Sequence, residues 1–197
     1  MTHRKKAIIV GLLFFAQMIT AAIGTSLIQA FKDGDANKVP LTIGVLLMAC
    51  SGVAVVAIGL LMYRILKPFN ETLAYSYPVL RIIEFTVSTI CGMYLLAKLE
   101  VVPNYLLWVY IPTALGGLAL TYLLFTSRLV PRSIALLGLV GYALLLLGVP
   151  LDLMGVLEMD KGMGQLLLAP GGLFEFVFLP LWLLFKGFKP IEQQVAH

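Results

Sequence analysis

Four uncharged stretches, Ala7 to Phe31, Val39 to Tyr63, Val101 to Ser127 and Ser133 to Leu151, constrain this chain more than any motif. Each is about as long as the ~20 apolar residues that one bilayer crossing takes. Two more stretches would qualify but for internal charge: Tyr77 to Ala97 contains Arg81 and Glu84, and Gly162 to Phe185 contains Glu175. With 60% hydrophobic and 12% charged residues in 197, too little polar surface remains for a water-soluble domain. The pattern predicts an all-α polytopic membrane protein, a six-transmembrane-helix bundle forming a single domain over 1–197. Its expected spans are 7–31, 39–63, 77–97, 104–127, 133–152 and 164–186, which leave no room for an appended catalytic domain. The opening Met1-Thr2-His3-Arg4-Lys5-Lys6 resembles a secretory signal, but the apolar run after it is long enough to span and is read as a retained first helix.

The connections are short, so successive helices should be antiparallel neighbours. Of fourteen Lys and Arg, an N-terminus in the cytoplasm puts nine inside: Arg4, Lys5, Lys6, Arg64, Lys67, Arg128, Arg132, Lys186 and Lys189. Lys32, Lys38, Lys98 and Lys161 would lie outside, with Asp33, Asp35, Glu100, Glu158 and Asp160. The bias predicts both termini in the cytoplasm. The basic residues flank apolar runs rather than forming a stripe, which argues for topogenesis and against nucleic-acid binding. Tyr75, Tyr77, Tyr105, Trp108, Tyr110 and Trp182 fall toward span ends and read as interfacial anchors. Cys50 and Cys91 read as buried packing residues.

Splitting the chain into helices one to three and four to six gives halves of opposite orientation, and they share some sequence. Gly52 to Gly59 and Gly141 to Gly148 both read G-x-A-x-x-x-x-G, and Glu84 and Glu175 sit in matching positions of helices three and six. A 3+3 inverted repeat of the transporter kind is one reading; chance in a Gly-, Ala- and Leu-rich chain is the other.

Ionisable residues inside a membrane are costly and should face the protein interior with a partner. Arg81 lies three residues before Glu84, on the same helix face, and its guanidinium can reach either carboxylate. One Arg against two Glu leaves the group one positive charge short. Either a carboxylate carries a proton, or a cation or basic ligand supplies the charge. The structural alternative has Arg81 snorkelling to the surface while the two acids make interhelical hydrogen bonds. Pro170, Gly171 and Gly172 stand one turn before Glu175 and predict a break or kink beside it. Polar Gln17, Thr20, Thr25, Ser51, Thr86, Ser88, Thr89 and Thr113 could line a cavity, though satisfying their own backbones is the simpler expectation.

No HExxH, GxSxG, P-loop or dinucleotide fingerprint occurs, and the two histidines, His3 and His197, stand at the ends. No metal ligand set, cofactor or catalytic residue is therefore assigned, and the chain leans away from being an enzyme.

Arg81-Ile82-Ile83-Glu84, the run Ser127-Arg128-Leu129-Val130-Pro131-Arg132, and the ending from Leu173-Phe174-Glu175 to Trp182-Leu183-Leu184-Phe185-Lys186-Gly187-Phe188 together resemble domain of unknown function 4386. The resemblance spans most of the chain and implies a bacterial multi-helix protein of the cytoplasmic membrane, with no activity attached. In the Ser127–Arg132 run, Pro131 should stop helix four and Arg128 and Arg132 should meet anionic headgroups at the inner surface, with docking of a cytoplasmic partner as the alternative.

The functional expectation is a bundle, in contact with the lipid bilayer, that binds or transports a small solute through Arg81, Glu84 and Glu175. The ligand would be cationic or protonatable. The alternative is a non-catalytic membrane subunit or sensor whose buried charges are structural or pair with a partner protein.

Overall fold

The computed structural model describes residues 3–34, 37–159 and 162–189. Asp35, Asp160, Lys161 and His197, placed above from sequence, lie outside the described residues. Among the described residues six helical spans follow one another: α1 (His3–Lys32), α2 (Lys38–Leu66), α3 (Glu71–Lys98), α4 (Tyr105–Ser127) and α5 (Arg132–Leu153). The sixth is composite, α6 (Met163–Leu173), a π-helical turn over Phe174–Phe178, and α7 (Leu179–Phe185). All six are long and apolar enough to cross a membrane, so this is a multi-pass membrane protein in contact with lipid.

Charge at the helix ends hides some boundaries from the sequence. The third span starts at Glu71, six residues before the expected Tyr77, because Asn70 caps it: its side chain accepts the Leu73 N–H at 3.0 Å. Lys67 and Glu71, which look like loop residues, form a 2.9 Å surface ion pair at that corner.

Each span packs on its neighbours in sequence, and α1 closes the ring on α7 and the π turn. The end carrying the termini is tightly filled by Ala7, Val10, Phe14, Met62, Leu66, Leu124, Leu129, Val130 and Leu183. Two contacts strap it: Arg4 Nη2 donates to the Leu184 carbonyl at 2.9 Å, and the Lys189 N–H donates to the Leu129 carbonyl at 2.9 Å. The far end holds a smaller cluster of Leu41, Val45 and Leu95. At the termini end Arg128 closes α4 in the left-handed region (φ 51°) and Arg132 lies 5.4 Å over the Phe125 ring.

Small residues set the approach of α5 to the sixth span. A Cβ on Gly141 would collide with the Gly171 nitrogen, a backbone contact that no side-chain rotation relieves. This corrects one expectation. The helix runs unbroken through Pro170, Gly171 and Gly172, of which Gly171 lies against Gly141 of α5, and the irregularity begins two residues after Gly172, at Phe174–Phe178. The two matched glycines have different neighbours: a Cβ on Gly52 would meet the Phe85 ring, whereas one on Gly141 would meet the Gly171 backbone.

Two further expectations change because a membrane bundle turns apolar residues both inward and toward lipid. Cys50 is exposed rather than buried, and Cys91 is half-buried. Tyr77 is buried against Arg81 rather than anchored at the interface, whereas Tyr75 and Trp108 do stand on the outside.

Candidate functional site

Four spans send a polar side chain to one point at mid-depth. Glu84 has thirteen residues of α3 before it and fourteen after it. Tyr142 has ten and eleven in α5, and Gln17 thirteen and fifteen in the span Arg4–Lys32. Glu175 has eleven and ten in the span Gly164–Phe185. A half-length of any of these helices, at about 1.5 Å per residue, puts the group near the bilayer midplane, where water is scarce.

The three residues expected to meet do meet. Arg81 Nη1 donates to Glu84 Oε2 at 2.7 Å, and Arg81 Nη2 lies 3.5 Å from Glu175 Oε1. The first is a close charge-assisted bond; the second is long for a hydrogen bond and acts through charge. Arg81 is buried, with only 1% of its side chain exposed, and its guanidinium carbon lies 5.2 Å from the centre of the Tyr77 ring. It does not snorkel.

Two residues missing from the expected site complete it. The Tyr142 hydroxyl donates to Glu175 Oε2 at 2.7 Å, and Gln17 Nε2 donates to Glu175 Oε1 at 3.1 Å. Tyr142 also stands 3.5 Å from Arg81 Nη2. A phenol and an amide in the middle of apolar helices need partners, and that need was the available signal for both. Thr20, Thr86 and Thr113 instead return their hydroxyls to the preceding helical turn, as the simpler expectation had it. Ser51 ties α2 to α1 through the Gln17 carbonyl at 3.2 Å.

Glu175 stands on the π turn, where the Leu179 N–H bonds to the Phe174 carbonyl, a five-residue step. The cause is Pro180: it has no N–H for the Phe176 carbonyl and its ring would crowd that oxygen, so one extra residue enters the turn. The wider turn moves Glu175 around the helix relative to a regular α-helical register.

The group is one positive charge short with both acids ionised, and two of its polar atoms are unspent. Gln17 Oε1 and Arg81 Nε are buried with no hydrogen-bond partner among the described residues. Neither of the two cavities at the far end of the bundle is lined by Arg81, Glu84 or Glu175.

The chain matches the family described as domain of unknown function 4386 over residues 9–105 and 93–187. No curated protein and no solved structure matches it. The two matched segments together take in all six spans and every residue of the Arg81 group, and by them the protein belongs to that family.

Proposed function

We propose that this protein takes up a proton at the Arg81–Glu84–Glu175 centre and couples it to the binding or passage of a small cationic or protonatable solute. One observation carries the reading: two carboxylates converge on a single guanidinium at mid-depth. Uncompensated charge in a low-dielectric interior costs several kcal/mol, on the order of that for a lone intramembrane carboxylate. Neither of the far-end cavities is lined by these three residues, and a proton needs no cavity to be held. The π turn supports a working site, since such turns recur where a helix is bent to a function. The setting proposed is a bacterial cytoplasmic membrane with both termini in the cytoplasm, as the basic residues at the termini end favour. Arg128 and Arg132 then lie at anionic headgroups.

A second reading, a membrane subunit or sensor with structural charges, is favoured by a different observation. Glu175 accepts from Tyr142 and Gln17 and faces Arg81, so its oxygens are satisfied in a closed core. Proteoliposomes loaded with a pH-sensitive dye separate the two. The proton-coupled reading expects a pH-driven, protein-dependent dye response that Glu175→Gln abolishes while the protein stays monodisperse. The structural reading expects no response from either protein and a loss of thermal stability in the variant.

A further inference from the structure

At the far end of the bundle, opposite the termini, two cavities adjoin. The larger, about 440 Å³, lies between the ends of α1, α4 and α5, with Lys32, Asn104, Tyr110 and Asp152 in its lining. The smaller, about 220 Å³, lies between α1, α2 and α3, and Ile28, Val45, Met48 and Leu95 give it an apolar wall. Val101, Val102 and Tyr105 line both.

The two differ in depth as well as polarity. Lys32 is the last residue of α1 and Asp152 the last but one of α5, so the larger cavity sits at headgroup level. The smaller reaches down to Thr25, seven residues from the end of α1, and to Ser88, ten from the end of α3. At 1.5 Å per residue that is about 10–15 Å into the acyl region. Leu46 and Met93 on its wall are 58% and 56% exposed, so the groove opens sideways to lipid. In the upper cavity opposite charges share one lining. The Lys32 ammonium lies 5.6 Å from the Tyr105 ring centre, and the Asp152 carboxylate accepts the Met159 N–H at 2.7 Å.

We infer that the joined cavities bind an amphiphile with a zwitterionic ammonium–phosphate headgroup and an acyl chain, head in the upper cavity and chain in the groove. A polar solute alone would leave the apolar groove empty. A neutral-headed chain would bring no opposite charge to either the Lys32 ammonium or the Asp152 carboxylate of that lining. Only a molecule carrying both parts matches both chambers, and each part is placed at its own depth in the bilayer. The phosphate faces Lys32 and the ammonium faces Asp152, with Tyr105 at the junction. The site is separate from the Arg81 centre and stands or falls without it.

The test uses the full chain in a sugar detergent and lysophosphatidylethanolamine with a photoreactive group in its tail. Expected are saturable labelling concentrated in residues 45–49 and 88–96, and at least tenfold weaker labelling in Lys32→Glu. Ser88→Phe, which fills the groove, should weaken it as much in a protein that stays monodisperse, and Glu175→Gln should leave it unchanged. Unlabelled lysophosphatidylethanolamine should compete, whereas glycerophosphoethanolamine and monoacylglycerol should not. Competition by the tail-less headgroup at equal concentration would make the upper cavity a solute site and overturn the proposal. Equal competition by monoacylglycerol or lysophosphatidylglycerol would overturn the zwitterion. Labelling spread evenly over the lipid-facing helices, or unchanged in Lys32→Glu, would overturn the site itself.

Discussion

Glu84 and Glu175 are both mid-depth glutamates reached by Arg81, yet the protein treats them differently. Glu84 takes its charge-assisted bond from the guanidinium three residues earlier on its own helix, with the Thr113 hydroxyl of α4 beside it, and its side chain is 15% exposed. Glu175 is drawn in from another helix and held by donors from α1 and α5, with Arg81 half an ångström beyond good hydrogen-bond length. Glu84 thus serves as the local counter-ion of Arg81, a pair that one helix can form alone. Glu175 exists as a site only when four spans have assembled, so its state reports on how they sit together.

Removing the shared cation should cost most. Arg81→Leu strands two carboxylates in the bundle core, and breaking a buried pair costs about 3–5 kcal/mol. The expected outcome is loss of monodisperse protein in detergent, or the largest fall in thermal midpoint among these variants. Stability equal to wild type would mean that the acids do not depend on Arg81. Glu175→Leu comes next, since it leaves the Tyr142 hydroxyl and the Gln17 amide without their acceptor, at about 1–3 kcal/mol for a buried unsatisfied group. It should fall well below Glu84→Leu, whose site is partly open. An equal or larger loss from Glu84→Leu would erase the contrast between the two acids. Tyr142→Phe should cost about 0.5–1.5 kcal/mol, the net worth of one hydrogen bond. It should have little effect in a Glu175→Leu background, because the two residues act as a pair.

The spans and the pairing of Arg81 with both acids were legible because charge is rare in these helices and every buried charge needs a partner. The start of α3 was not, since Lys67 and Glu71 look like a loop until Asn70 is seen as a cap. Gln17 reads in sequence as satisfying its own backbone and Tyr142 is not singled out, for another reason: a single polar residue in an apolar helix can satisfy itself locally, and only the assembled spans show that these two do not. The Pro170–Gly172 run drew the eye to a break, whereas Pro180, five residues after Glu175, makes the irregular turn. Composition alone does not tell a glycine that loosens a helix from one that lets two helices touch.

Infrared difference spectroscopy of the reconstituted protein tests the central claim most directly, because a protonated carboxyl has its own carbonyl band. Stepping the pH should raise one such band in wild type, at an intensity matching one proton, and Glu175→Gln should remove it. Glu84→Gln takes away the second acid and with it the charge deficit, so the band should vanish or move to lower pH there too. Absence of any pH-dependent carboxyl band assignable to these residues would mean that both acids stay fixed in one state, and the proton-binding centre would be contradicted.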